Sequence, residues 1–320
     1  TRPPQEGRPA AVVDVPTPVR VIAVPYRSFP YAGRRGTTIL DRSTAYPLFG
    51  ERAGRTAAEL ARTGQVDLVH ALGASGLGYA NARRRGTADA PFVLNPQGLE
   101  EFGGIDGTYG GQPAKRIAYA PLQWAVRRCS DAADRVIATD RAIEPAIVHH
   151  LGVGPDRLRL VPNAVDVPAC DAFAGPKEGA RIRRDYGIPP ETALLLSVGR
   201  LERNKGFHVL AQALGSLSER SWRWVLVGDG PFRRDIEGVV AIAGIAERTT
   251  FVGRVDDRAL HAWYEAATLF VHPTLYEGSS LVTLEAMVHR RPVVATIAGG
   301  LPDKVTPDAT GWLVEPGRPD

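Results

Sequence analysis

The sequence predicts a two-domain α/β protein, its parallel sheets covered by helices on both faces. Three observations carry that prediction. Short β-branched runs, almost continuously apolar, recur along the chain and each is followed by a helical pattern, as expected of strands buried on both faces. The chain has 320 residues, more than one core usually holds at roughly 150 residues per domain. Hydrophobic residues make up 44% and charged residues 23%, enough to build sizeable cores, which excludes disordered, collagen-like and coiled-coil classes. No apolar run approaches the roughly 18 residues that span a bilayer, so an integral membrane protein is excluded as well.

In the first half the strand-like runs are Val19–Val24, Val66–Ala71, Phe92–Asn95, Arg135–Thr139 and Leu158–Val161. In the second they are Ala193–Val198, Trp224–Gly228, Thr250–Gly253, Thr268–His272 and Val293–Ala295, with Gly311–Val314 also strand-like. Helical patterns cover Arg55–Arg62, Lys115–Cys129, Arg181–Tyr186, Lys205–Leu217, Asp257–Ala266 and Ser280–His289. The text turns loop-like after Asp166, so the expected domains are residues 1–166 and 167–320, two doubly wound sheets facing each other across a cleft. Ligands of such sheets bind beyond the carboxyl ends of the strands, and the informative residues should follow each run.

The net charge is +4, and only Lys115, Lys177, Lys205 and Lys304 are lysine. The arginines are scattered, and the groups at Arg83–Arg85 and Arg181–Arg184 read as solvated helix faces, so nucleic acid is not an expected partner. Cys129 and Cys170 are too few for a disulfide scaffold and lack C-x-x-C spacing, which fits a reducing cytoplasm.

Chemistry gathers in two places. In the run from Leu194 to Gly206 a strand ends at Val198, Gly199 permits a turn, and Arg200 and Lys205 sit in one strand-to-helix loop. A helix start favours anions through its free amides and dipole, so two cations there suit a diphosphate; a surface loop with two solvated cations is the plain alternative. In the run from Val271 to Glu285 a strand ends near His272, a loop carries Glu277, and Ser279 or Ser280 can cap a helix that holds Glu285. Gly278 lets a ligand approach the backbone, and carboxylates accept hydrogen bonds from adjacent sugar hydroxyls. The alternative here is acids complementing a helix dipole. Between them, Gly228-Asp229-Gly230 and Gly253-Arg254-Val255 follow further strands.

In order, Gly199–Gly206, Val227–Pro231, Phe251–Val255 and the Glu277/Glu285 pair spaced E-x7-E resemble the nucleotide-sugar domain of glycosyltransferase family 4, retaining enzymes of the GT-B fold. Val66–Ala71, Asn95–Phe102 and Val161–Asp166 resemble that family's acceptor domain and hinge. The resemblance implies two facing Rossmann-like domains and transfer of a sugar from a nucleoside diphosphate, of UDP or GDP type, to a carbohydrate or lipid-linked acceptor. It assigns Arg200, Lys205 and Glu277 to catalysis: the cations on the diphosphate, the carboxylate on the transferred sugar. Glu285 would hold the ribose; Gly199, Gly228, Asp229, Gly230, Gly278, Ser279, Ser280 and Leu281 would line the donor, and Arg254 and Val255 the base. Gln97, Gly98 and Asn163 would lie on the acceptor side. Gln97 stands where many relatives carry histidine, and it cannot titrate.

No Asp-x-Asp follows a strand, so neither a metal nor a further cofactor is expected. The family's opening strand with its Gly-rich loop, and its closing helices, are not found, so a chain opening Thr1-Arg2-Pro3-Pro4 and stopping soon after Val314 reads as a fragment. The expected protein is a monomer or weak oligomer in the cytoplasm, with peripheral contact at the inner face of the membrane through Lys115–Cys129. That helix should otherwise pack on its sheet with Ile117, Leu122, Val126 and Cys129. Gly73–Gly78 reads as a helix-start turn rather than a dinucleotide loop, and His149-His150 as the end of a helix rather than a metal site. Two rivals stay open: a donor-binding protein without turnover, and another GT-B enzyme such as a nucleotide-sugar epimerase.

Overall fold

The computed structural model describes residues 19–25, 38–103, 113–217 and 221–320; the opening Thr1–Pro4 lies outside them. Contacts divide the chain into two units, Thr1–Val161 and Pro162–Asp320, a boundary slightly ahead of the one expected after residue 166.

The first unit runs α1 (Thr38–Arg62), β1 (Val69–Leu72), α2 (Leu77–Arg84), β2 (Phe92–Asn95), α3 (Pro113–Ala132), β3 (Arg135–Ala138), α4 (Glu144–Leu151) and β4 (Leu158–Leu160). Its four strands form a parallel sheet in the order β1-β2-β3-β4. The core combines Phe92, Leu94, Val136 and Ala138 from the strands with Tyr79, Leu122, Val126, Cys129 and Ile147 from the helices.

Three expectations fail in this unit. Val19–Val24 forms no strand: it has no partner strand among the described residues, and Val21 is 65% exposed. A lone strand leaves its amides and carbonyls unpaired, so strand character in sequence does not suffice. Second, the helix expected over Arg55–Arg62 begins at Thr38 and runs through Pro47. Gly50 and Gly54 are the surface on which the turn Gly73–Gly76 and α2 lie: a Cβ on Gly54 would fall 2.3 Å from the Tyr79 nitrogen, and one on Gly50 1.9 Å from the Ala74 carbonyl oxygen. Third, Leu122, Val126 and Cys129 of α3 are buried as expected, whereas Ile117 is 76% exposed. At 100° per residue Ile117 stands about 140° around the helix from Leu122. Gly73–Gly76 is a 3₁₀ turn leading into α2, and His150, near the end of α4, stacks on Phe102.

The second unit runs α5 (Val167–Phe173), α6 (Pro176–Asp185), β5 (Ala193–Val198), α7 (Phe207–Gly215), β6 (Trp222–Val227), α8 (Arg233–Ile242), β7 (Thr249–Gly253), α9 (Asp257–Ala266), β8 (Leu269–His272), α10 (Leu281–Val288), β9 (Val293–Thr296) and β10 (Gly311–Val314). All six strands are parallel, in the order β10-β9-β8-β5-β6-β7. Both faces are apolar: Leu194, Leu196, Val225 and Val227 face one cluster, Trp222, Trp224 and Leu226 the other. The Ser197 hydroxyl, fully buried, donates to the Val271 carbonyl at 2.8 Å and accepts from the Trp224 indole at 3.1 Å, linking β8, β5 and β6.

This strand order fixes where the site belongs. The chain winds outward from β5 through β6 to β7, crosses back to β8 beside β5, and winds outward the other way. Strand order therefore reverses between β5 and β8, and a crevice opens beyond their carboxyl ends. Those ends are Val198 and His272, the strand ends that lead into the two loops singled out in the sequence.

Candidate functional site

Backbone contacts hold the two loops together. After β5 the chain makes a 3₁₀ turn over Arg203–Lys205, and Gly206 turns into α7 with φ +68°. A Cβ on Gly206 would lie 1.8 Å from the Pro273 carbonyl oxygen, so glycine permits both the left-handed conformation and the contact with the loop after β8. The Asn204 carbonyl accepts from the Leu275 N–H at 2.7 Å and from the Thr274 hydroxyl at 3.0 Å.

These ties deliver Lys205 to Glu277. Lys205 Nζ donates to Glu277 Oε2 at 2.8 Å, and His272 Nε2 lies 2.7 Å from the same oxygen. The side chains of Lys205, Glu277 and His272 are 19%, 13% and 1% exposed. Burial pushes the Glu277 carboxyl up, but the His272 hydrogen bond and the charge of Lys205 outweigh it and bring the pKa down to about 2. The Gly278 N–H lies 3.2 Å from Glu277 Oε1.

Glu285 occupies a different setting. Its Oε2 accepts from the Tyr264 hydroxyl of α9 at 2.9 Å. Burial raises the Glu285 carboxyl above its ordinary range, more than the Tyr264 hydrogen bond lowers it. Two carboxylates eight positions apart thus shift in opposite directions.

The remaining expected residues fall into three groups. Gly278, Ser279, Ser280 and Leu281 form the loop and first turn of α10, as the sequence suggests. Ser280 is the N-cap by position, yet its hydroxyl accepts from Thr283 Oγ1 at 2.9 Å instead of binding the helix amides. A Cβ on Gly278 would meet nothing within 4 Å, which leaves that side of the loop open. Gly199, Gly228 and Gly230 have a structural reason of their own: a Cβ on Gly228 would lie 1.9 Å from the Gly199 carbonyl oxygen, and one on Gly230 2.4 Å from that of Leu201. Asp229 is exposed and accepts the Gly230 N–H; Arg254 is exposed, and Val255 packs partly on the core. Arg200 is mostly exposed and paired with Glu202.

Two acceptor-side residues, Gln97 and Gly98, line a cavity of about 480 Å³ in the first unit, together with Arg42, Tyr46, Glu100 and Glu101. Gln97 has φ +65°, and its N–H donates to the Asn95 side chain. Asn163, also expected on the acceptor side, falls in the second unit, where its side-chain amide donates to the Ser279 carbonyl at 3.5 Å.

Several contributors went unassigned in the sequence. His272 read only as a strand end. Lys304, one of four lysines, donates to Ser279 Oγ at 2.9 Å. Gly299 has φ +54°, and a Cβ there would lie 1.8 Å from the Glu277 carbonyl oxygen, so the loop after β9 supports the Glu277 loop from below. The rarity of lysine was the one signal available for Lys304.

Comparison with known proteins agrees with both units. The profile described as "Glycosyltransferase Family 4" matches residues 12–168, and that described as "Glycosyl transferases group 1" matches residues 192–320. The chain is 32% identical over 205 residues to the 2-deoxystreptamine glucosyltransferase of Streptomyces kanamyceticus, covering 63% of this chain and 51% of that protein. It is 32% identical over 276 residues to D-inositol 3-phosphate glycosyltransferase 1 of Catenulispora acidiphila, covering 81% and 63%. The chain spans about half the length of most of the curated relatives it matches. Among solved structures, HepE of Anabaena in complex with UDP has a TM-score of 0.67 at 22% identity, covering 83% of this chain and 69% of that one. Sucrose-phosphate synthase of Thermosynechococcus elongatus has 0.66 at 26% identity, covering 87% and 67%. No helix among the described residues is long and apolar enough to cross a membrane.

Proposed function

This chain belongs to the glycosyltransferases of GT-B fold, with a family 4 first unit and a group 1 second unit, and on that premise we propose that it transfers a sugar from a UDP-sugar to a hydroxyl of a polyhydroxylated ring. The observation that carries the proposal is the Lys205–Glu277 pair, buried where strand order reverses. An anion-binding cation beside a hydroxyl-binding carboxylate is what a sugar diphosphate requires. The UDP-type donor is supported by the likeness to HepE, whose structures hold UDP and UDP-glucose.

In this reading Lys205 and Arg200 meet the diphosphate, Glu277 the hydroxyls of the transferred sugar and Glu285 the ribose. The bond from the anomeric carbon to the diphosphate oxygen breaks as negative charge grows on the departing group. Fixed cations there stabilise the transition state more than the ground state, with no metal required. The acceptor oxygen bonds to the anomeric carbon from the face the diphosphate leaves, and the departing phosphate takes its proton, so configuration is retained. The acceptor belongs to the cavity beside Gln97 and Gly98, where Glu101, Arg42 and Tyr46 offer polar groups to a ring bearing several hydroxyls. The names of the relatives, a deoxystreptamine and an inositol phosphate transferase, support a cyclitol-like acceptor.

The test is calorimetric titration of UDP, GDP and ADP into the purified chain with EDTA present. Saturable UDP binding that is lost in Glu285→Ala supports the donor site and its metal independence. Absence of binding to all three by a folded chain overturns the proposal.

A further inference from the structure

Lys205 has two claims on it. In the structure its ammonium is spent on Glu277 Oε2, yet the proposed donor brings a diphosphate that competes for the same charge. If Lys205 were the sole partner of Glu277, donor binding would release the carboxylate that has to hold the sugar. A second donor is already in place. His272, at the end of β8, is 1% exposed, and its Nε2 lies 2.7 Å from Glu277 Oε2.

The ring's own environment fixes which way that bond runs. His272 Nδ1 is buried and has no hydrogen-bond partner among the described residues. A proton on Nδ1 would be a buried N–H left unmade, a costlier defect than an unused lone pair. The proton therefore sits on Nε2 and points at the carboxylate. The ring is held from one side by Phe270, stacked at 5.8 Å with planes 17° apart. With Oε2 engaged by two donors and Oε1 only by the Gly278 N–H at 3.2 Å, the remaining lone pair of Oε1 is the one offered to a substrate hydroxyl.

We propose that His272 is a positioning residue for the transferred sugar: its Nε2–H holds Glu277 Oε2 when Lys205 turns to the diphosphate, and so keeps Oε1 presented to the sugar hydroxyls. The proposal rests on the donor-site reading above. Its logic is that an N–H donor fixed at the buried strand end cannot leave the carboxylate for the phosphate, so the carboxylate and the diphosphate need not share Lys205.

Two substitutions separate positioning from packing. His272→Phe keeps a flat ring against Phe270 and removes the N–H; His272→Gln loses the ring but places an amide N–H near the position of Nε2. Calorimetry with UDP and with UDP-glucose reads the sugar's contribution by difference. UDP affinity should be unchanged in both variants. Affinity for UDP-glucose should fall about tenfold in His272→Phe, the loss of one hydrogen bond to a charged group, and stay within about threefold in His272→Gln. A His272→Phe variant that binds UDP-glucose like the parent, or a His272→Gln variant that falls as far as His272→Phe, overturns the proposal. Nitrogen NMR on the histidine-labelled parent chain gives an arm independent of any donor: His272 should be the Nε2–H tautomer, and an Nδ1–H tautomer overturns the assignment. If the parent binds neither UDP nor UDP-glucose, the donor-site reading fails and the tautomer decides separately whether His272 holds Glu277.

Discussion

Lys205 and Glu277 lie 72 positions apart in sequence and 2.8 Å apart in space, both largely buried at the ends of adjacent strands β5 and β8. The pair combines the cation of one motif with the carboxylate of another. Each is the other's counter-charge and, in the proposed reading, also a ligand group, which ties stability to binding at this point.

The first prediction follows from that tie. Glu277→Gln leaves the Lys205 ammonium buried without its counter-charge, and should destabilise the second unit by about 3 kcal/mol. A double-mutant cycle with Lys205→Met should return a coupling of about 1–3 kcal/mol. Urea unfolding followed by tryptophan fluorescence reads this unit, which holds Trp222, Trp224, Trp263 and Trp312. Additive effects would show that the pair is only a surface contact. Because the Glu277 pKa is depressed to about 2, its stabilisation is fully present above the ordinary carboxylate range and is lost as pH falls through about 2.

Glu285 should respond at a higher pH than Glu277, because its carboxyl shifts the opposite way. Its carboxyl is raised by burial, so it takes up a proton before Glu277 as pH falls from neutral. Affinity for UDP-glucose, whose diphosphate stays ionised there, should decline as pH falls into the acid range, ahead of any change at Glu277, and stay flat in Glu285→Gln. Tyr264→Phe removes the hydrogen bond that lowers the carboxyl, and should move the decline to higher pH. A flat parent profile would remove Glu285 from the ribose.

Gly206 is the joint between the two loops. Gly206→Ala forces a Cβ against the Pro273 carbonyl oxygen at φ +68°, costing about 1–3 kcal/mol, and should displace Lys205 enough to lower UDP affinity at least tenfold. Equal UDP binding by the alanine variant would mean that the loop holds Lys205 by other contacts.

In the first unit, Glu101 is buried against the cavity beside Gln97, and burial raises its carboxyl. Glu101→Ala should raise the acceptor KM about tenfold, the value of one lost hydrogen bond to a charged group, and leave UDP affinity as it was. A loss confined to donor binding would place the acceptor elsewhere.

Much was legible in the sequence because much of it is local. β-Branched runs mark ten strands to within a few residues, and turn glycines mark their ends; the two loops that carry Arg200, Lys205 and Glu277, and the helix start that carries Glu285, were found because a strand end, a glycine and a charge lie close together there. Where local signals mislead, packing decides. The pattern marks a helix only over Arg55–Arg62, yet the helix extends back to Thr38 through Pro47, Gly50 and Gly54, with the 3₁₀ turn and α2 packed on the two glycines. Val19–Val24 reads as a strand, yet without a partner among the described residues it forms none.

The sequence by itself determined the fold class, the family and which loops carry the charged groups. These are properties of neighbouring residues, fixed by periodicity, turn chemistry and motif order. The tertiary structure decided who meets whom: that Lys205 pairs with Glu277, that a buried histidine supports that pair, that Tyr264 holds Glu285, and that Asn163 stands with the donor-side loop. Three of these four contacts join residues more than twenty positions apart, and their distances come from sheet order and close backbone packing. A chain's local pattern encodes the elements, but the pairing of side chains at their ends exists only once β5 and β8 lie side by side.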